Sequence, residues 1–125
     1  MELPENLLYT PEHEWVDWVP GTREPVAVGI TGYAAESLGD IVFVQLPEVG
    51  ERVTSGQVCG ELESTKSVSD LYAPVSGEVV EVNGAVVDDP AVINADPYRG
   101  GWLFKVRVEN AEGLLTAARY AELAV

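Results

Sequence analysis

Lys66 is the side chain whose setting most suggests chemistry. It stands in Glu61-Leu62-Glu63-Ser64-Thr65-Lys66-Ser67-Val68-Ser69-Asp70, on a turn of small polar residues between two β-like runs. A lysine so placed projects into water. Its amine is nucleophilic only without its proton, and neither Glu61, Glu63 and Asp70 nor any apolar cover nearby helps it shed that proton. Schiff-base lysines are desolvated or set beside another cation. Lys66 has neither arrangement, which argues against an enzyme built on it. An exposed, geometrically fixed amine instead suits recognition and acylation by another protein, which removes the charge and extends a long, flexible tether. On composition alone, an ordinary solvated turn lysine is the commoner reading.

Other candidate residues carry less. His13 is the single histidine, so no His-based metal cluster is expected, and packing near Trp15 is its simplest role. Cys59 is the single cysteine and has no internal disulfide partner. It lies in the strand-like run Val58-Cys59-Gly60-Glu61-Leu62 and reads as a packed structural thiol. Gly32, Gly39, Gly50 and Gly56 lack the spacing and the lysine of a phosphate loop. The aromatics are scattered, which suits a core and not a base-stacking platform.

The elements that must position Lys66 read as short strands. Gln57 to Ser64 alternates, with Val58, Gly60 and Leu62 on one side and Cys59, Glu61 and Glu63 on the other, a period of two. After Thr65-Lys66-Ser67, extended character resumes over Val68 to Tyr72. Further strand signals lie at Trp15 to Val19, Pro25 to Ile30, Ile41 to Val44, Arg52 to Thr54, Val79 to Val82 and Trp102 to Val108. Gly32 to Leu38 has helical composition, and Gly39-Asp40 stops it. A second short helix is expected from Asp89 as cap and Pro90 at the first helical position, ending by Asn94. From Ala111 onward, Leu114, Leu115, Ala118 and Leu123 recur at helical spacing and predict a C-terminal amphipathic helix. The sum is a mainly β sandwich or flattened barrel with minor helices.

The chain has 125 residues, 46% of them hydrophobic, enough for one domain spanning 1–125 with a real core. Its 21 acidic and 7 basic residues give a formal net charge of −14. That field repels nucleic acid and anionic membrane. Net charge alone names no partner; a soluble acidic monomer is the commoner reading, with steering towards basic docking surfaces the sharper one. Met1-Glu2-Leu3-Pro4-Glu5 reads as neither a secretory signal nor a transit peptide, and no apolar stretch approaches the length of a membrane span. A soluble cytoplasmic monomer is expected.

Several stretches, taken together, resemble the H-protein family of the glycine cleavage system. They are His13-Glu14-Trp15, Val28-Gly29-Ile30-Thr31, Leu38-Gly39-Asp40-Ile41-Val42-Phe43-Val44-Gln45-Leu46-Pro47, Glu63 to Asp70, Ala73-Pro74-Val75-Ser76-Gly77-Glu78-Val79, and Asn94-Ala95-Asp96-Pro97-Tyr98 with Gly101-Trp102. They run in family order over most of the chain. The resemblance implies a lipoyl/biotinyl-type flattened β-barrel or sandwich with a C-terminal helix, and lipoic acid attached covalently at Lys66. Glu63, Ser64, Thr65 and Ser67 would form the hairpin read by a lipoate ligase or lipoyl transferase. The chain would be a carrier with no catalytic residue and no metal ligand.

Its implied partners are the pyridoxal-phosphate glycine decarboxylase (P-protein), the aminomethyltransferase (T-protein) and the dihydrolipoyl dehydrogenase (L-protein). The carrier takes the aminomethyl group of glycine from the first to the second, and the third reoxidises the dithiol. The loaded arm ends in a cationic amine, which a carboxylate-lined cleft would hold and shield from water. The family implies Glu14 and Asp70 in that cleft, with position 12, here Glu12, beside them.

Departures from the family pattern are small. Thr65 and Ser67 replace the usual Val and Ala, Gly32 replaces an acid, Ala35 replaces a frequent Gln, and the loop from Asp17 to Pro25 is longer. Relaying lipoyl groups to other lipoyl-dependent proteins is a second role open to such a chain. A biotin carrier would set its lysine between methionines. A 2-oxo acid dehydrogenase lipoyl domain would lack the His13-Glu14-Trp15 and Asp96-Pro97-Tyr98 stretches.

Overall fold

A computed structural model describes residues 2–124. The strands in chain order are β1 (Leu8–Tyr9), β2 (Glu14–Val16), β3 (Val26–Ile30), β4 (Ile41–Gln45), β5 (Arg52–Val53), β6 (Val58–Ser64), β7 (Val68–Tyr72), β8 (Ser76–Val82) and β9 (Phe104–Asn110). Four short helices interrupt them: α1 (Gly32–Leu38), α2 (Gly84–Asp88), α3 (Ala91–Ala95) and α4 (Ala117–Leu123). The strands form a six-stranded sheet, β1-β2-β3-β9-β8-β5, and a three-stranded sheet, β4-β6-β7. Every pairing is antiparallel. The sheets do not close on each other, so the expected flattened barrel or sandwich is a sandwich.

Period-two burial builds the core. Val26, Val28 and Ile30 of β3, Val79 of β8, and Phe104 and Val106 of β9 meet Val44, Leu62 and Leu71 from the smaller sheet. A second apolar cluster, Leu7, Tyr9, Trp15, Tyr120 and Ala124, seats α4 on the far end of the larger sheet.

Several elements differ from the sequence reading for identifiable reasons. β2 stops at Val16, because the Asp17 carboxylate accepts from the Ala27 N–H (2.7 Å) and turns the chain into the long 17–25 loop, leaving Trp18 and Val19 outside the sheet. In β6 a register shift between Val58 and Gly60 breaks the alternation: Val58 points to solvent and Cys59 packs against the core. Burial pushes the Cys59 thiol up to about 12, in keeping with an inert packed group. α2 has no counterpart in the sequence reading. Asn83 caps it by accepting from the Ala85 N–H, and α3 follows with Pro90 in the cap position and no side-chain cap from Asp89. β9 begins at Phe104 and not at Trp102.

The C-terminal helix is shorter than its periodicity suggests. Thr116 caps it by accepting from the Arg119 N–H, while Leu115 pairs with Tyr9 as a bridge beside β1. Its buried residue is Tyr120, and Ala118 and Leu123 face water. Tyr120 stacks on Tyr9 at 5.0 Å. Its hydroxyl meets His13 Nδ1 at 2.6 Å and Thr31 Oγ1 at 2.8 Å. His13 therefore packs against Tyr120 and Tyr33, not Trp15. Burial lowers the His13 pKa, which suits a neutral ring accepting the Tyr120 proton.

Tyr120→Phe keeps the ring packing and removes only this hydroxyl. It should cost about 1–2 kcal/mol in chemical denaturation. Leu123→Ser, at a side chain 55% exposed, should stay within about 0.5 kcal/mol of the parent. The reverse ranking would mean that Leu123 anchors the helix.

Candidate functional site: a braced lysine hairpin beside an acidic cleft

β6 and β7 pair as far as Glu63 opposite Val68, and Ser64-Thr65-Lys66-Ser67 closes the hairpin. Two-residue hairpin loops usually need a left-handed residue, but none of these four has positive φ. Ser64 closes the turn instead. Its hydroxyl accepts from the Lys66 and Ser67 N–H groups, each at 3.1 Å, and its own N–H donates to the Ser67 carbonyl at 2.8 Å. Lys66 is exposed at the end of this turn, with Thr65 and Ser67 exposed on either side and Glu63 half-buried below.

The turn is braced from α1. The Thr65 N–H donates to the Asp40 carbonyl at 3.0 Å. The aliphatic stem of Lys66 lies over Gly39, where an added Cβ would fall 2.9 Å from Lys66 Cε. Gly39 also has φ +80°, so both its backbone and its neighbour call for glycine. Asn94 of α3 holds this corner. Its amide nitrogen donates to the carbonyls of Gly39 (2.9 Å) and Ala35 (3.3 Å), and its amide oxygen accepts from the Ile41 N–H (3.0 Å). The sequence reading placed Asn94 at a helix end and Gly39 at a helix stop, each within a resembling stretch, and joined neither to the Lys66 turn. Their roles depend on a contact between segments far apart in the chain.

Beside the hairpin lies a cavity of about 310 Å³ whose walls include Glu12, Glu14 and Asp70. Ile30, Leu38 and Leu62 supply apolar surface, and Tyr33, Ser37 and Ser69 complete the rim. Ala34, Ser37 and Leu38 line it from α1 at helical spacing, a signal the sequence held. α1 thus touches Lys66 at one end and walls the cavity along its length.

The three acids are not equivalent. Glu12 and Asp70 are exposed, whereas Glu14 is only 1% exposed. Its Oε1 accepts from the Thr10 hydroxyl at 2.6 Å and its Oε2 from the Tyr72 N–H at 3.3 Å. Burial raises the Glu14 pKa to about 8, more than those two bonds pull it down, and the neighbouring Glu12 charge adds to the rise. Burial thus favours the neutral form of Glu14 well above the ordinary carboxylate range. A cation arriving there would favour the carboxylate, so docking of an ammonium and loss of the Glu14 proton are linked.

Comparisons with known proteins follow this geometry. Residues 7–125 match the family model described as glycine cleavage H-protein. A glycine cleavage system H protein of Streptomyces avermitilis is 60% identical over 124 residues, covering 98% of this chain and 97% of its own. That of Thermobifida fusca is 58% identical, covering 98% and 96%. The crystal structure of a glycine cleavage system H protein from Mycobacterium marinum superposes with a TM-score of 0.92 at 58% identity, covering 96% of this chain and 97% of that one.

Glu14 also makes a prediction about stability. Its pKa is near 4.5 when unperturbed and about 8 in the folded chain. Between those values the folded state holds a proton that the unfolded state releases, so the contribution of Glu14 to stability falls as pH rises from about 4.5 to about 8. Denaturant titrations across this window should show a smaller loss of stability with pH in Glu14→Gln than in the parent. Parallel curves would place an ionised carboxylate in the folded cavity.

Proposed function

The chain belongs to the glycine cleavage H-protein family, and from that premise we propose that it is a lipoyl carrier whose arm is joined by an amide bond to Nζ of Lys66. The observation that supports the reading most is the pairing of two features. An exposed lysine stands on a braced turn, and an acid-lined cavity lies beside the same hairpin and shares α1 with it.

The residues fit such a group. Lys66 is exposed and free of any ion pair among the described residues, so an acylating enzyme can reach it. Val68, Ser69 and Asp70 lead from the turn along β7 to the cavity, a path of roughly 10–15 Å at about 3.3 Å per residue. When attached, the lipoyl group supplies a disulfide whose sulfurs accept the aminomethyl unit derived from glycine and are later reoxidised.

The chain's own residues bind and protect. Apolar Ile30, Leu38 and Leu62 keep bulk water from the cavity wall, while Glu14, Asp70 and Glu12 hold the cationic amine. Glu14 gives up its proton as that charge arrives, so the cavity need not keep a buried, unpaired carboxylate between visits. Catalysis lies with the partners. The chain moves the aminomethyl group of glycine from the pyridoxal-phosphate decarboxylase to the aminomethyltransferase, and then presents the reduced arm to the dihydrolipoyl dehydrogenase. A lipoate ligase or lipoyl transferase installs the arm by reading the hairpin at Glu63, Ser64, Thr65 and Ser67. Among the described residues no helix is long and apolar enough to cross a membrane.

Intact mass after incubation with lipoate, ATP and a purified lipoate ligase tests the attachment. The parent chain should gain the mass of one lipoyl group, and Lys66→Arg should gain none while melting at the same temperature. An adduct on Lys66→Arg, or none on the parent with a ligase active on another H protein, would contradict the proposal.

A further inference from the structure

We propose that the outer face of the three-stranded sheet, at Val42, Phe43 and Val68, is the docking surface for the enzyme that acylates Lys66. The partner would present an apolar socket ringed by lysine and arginine. The inference rests on the carrier reading above and adds how the acylating enzyme finds its lysine.

Register defines the surface. Phe43 pairs with Glu63, and Glu63 with Val68, so the three share one row and one face directly below the turn that carries Lys66. The next row, Val44, Leu62 and Ser69, points the other way; Val44 and Leu62 are in the core, and Leu62 and Ser69 line the cavity. Leu62 and Ser69 thus face the cavity while Phe43 and Val68 face away from it, and Asp70, two residues on from Val68, borders both. A register shift between Ile41 and Phe43 turns Val42 outward as well. Two adjacent strand residues are thus in water where regular alternation would bury one. Val42 is 55%, Phe43 50% and Val68 59% exposed.

Among the described residues nothing covers this patch, and folding gains little from leaving it wet. Its charge surroundings narrow the partner. Between residues 24 and 98 the only basic side chains are Arg52 and Lys66, while Asp40, Glu61, Glu63 and Asp70 all lie on or next to the strands of this sheet. An apolar centre inside an acidic rim matches a cationic surface with an apolar centre, and repels an acidic one.

The choice of the acylating enzyme follows from what each partner can recognise. Enzymes that process the arm can grip the arm. The enzyme that installs it meets only protein, and must hold the hairpin while Lys66 enters its site. The patch is small, which suits a transient encounter read mainly in KM.

The test measures initial lipoylation rates with a purified lipoate ligase for the parent chain, Phe43→Ser/Val68→Thr, and Val87→Ser, an exposed valine on α2 outside the three-stranded sheet. Phe43→Ser/Val68→Thr should lower kcat/KM at least tenfold, mainly through KM, with an unchanged melting temperature. Val87→Ser should match the parent. Driven to full lipoylation with excess ligase, the double variant should support glycine cleavage at the parental rate. Equal kcat/KM for the double variant and parent would overturn the proposal, as would equal slowing by Val87→Ser. A matching defect in glycine cleavage after full lipoylation would overturn the assignment to the acylating enzyme. Failure of the carrier reading would look different, because the parent itself would take no lipoyl group.

Discussion

The hydrogen bond from the Thr65 N–H to the Asp40 carbonyl is the constraint on which the rest of the site depends. A hairpin that runs past the edge of its sheet has only its own ladder to hold it, and its tip frays first. Here the tip is tied to the α1–β4 corner, and the corner is tied by one asparagine side chain to α3. Ser64 completes the turn from within. Under the proposed attachment at Lys66, stiffness matters because an acylating enzyme must place one amine within bonding distance of its own reacting atom, and disorder at the tip would be a cost in every encounter.

The same corner joins the two halves of the function. α1 contacts Lys66 at Gly39 and walls the cavity with Ala34, Ser37 and Leu38. The cavity sits in a chain of net charge −14, yet burial favours the neutral form of its deepest acid. Full ionisation of Glu14 beside Glu12 would place a buried negative charge next to another negative charge, which burial disfavours. The exposed ion pairs, such as Lys105 with Glu81 at 3.7 Å, contribute little to holding this geometry. The apolar core between the sheets and the hydrogen bonds around Asn94 do so.

Much of this was legible in the sequence where the signal is local. Gly32 to Leu38 reads as a helix and is one, because Thr31 accepts from the Ala34 N–H and Gly39 ends it. The Lys66 turn reads as a turn because small polar residues separate two extended runs. What the sequence obscured was set by tertiary context. The register shift in β6 exchanged Val58 for Cys59 at the core, and no local pattern encodes it. Leu114, Leu115, Ala118 and Leu123 carry a helical period, but Leu115 serves β1 and the helix turns Tyr120 inward, because its hydroxyl meets buried Thr31 and half-buried His13. Asp89 has the type and position of a cap, yet α2 reaches up to it and the cap role goes elsewhere. Glu14 was legible as a cleft acid through resemblance, while its protonation depends on a burial that only the fold supplies.

Backbone ¹⁵N relaxation on the unmodified chain tests most directly whether Lys66 is held out on a rigid turn. The account predicts order parameters for Thr65, Lys66 and Ser67 of about 0.85, the level of rigid backbone and of the β6 strand that leads to them. Values below about 0.6, with β6 and β7 themselves rigid, would mean a tip that flexes freely on the picosecond to nanosecond timescale, and would contradict it.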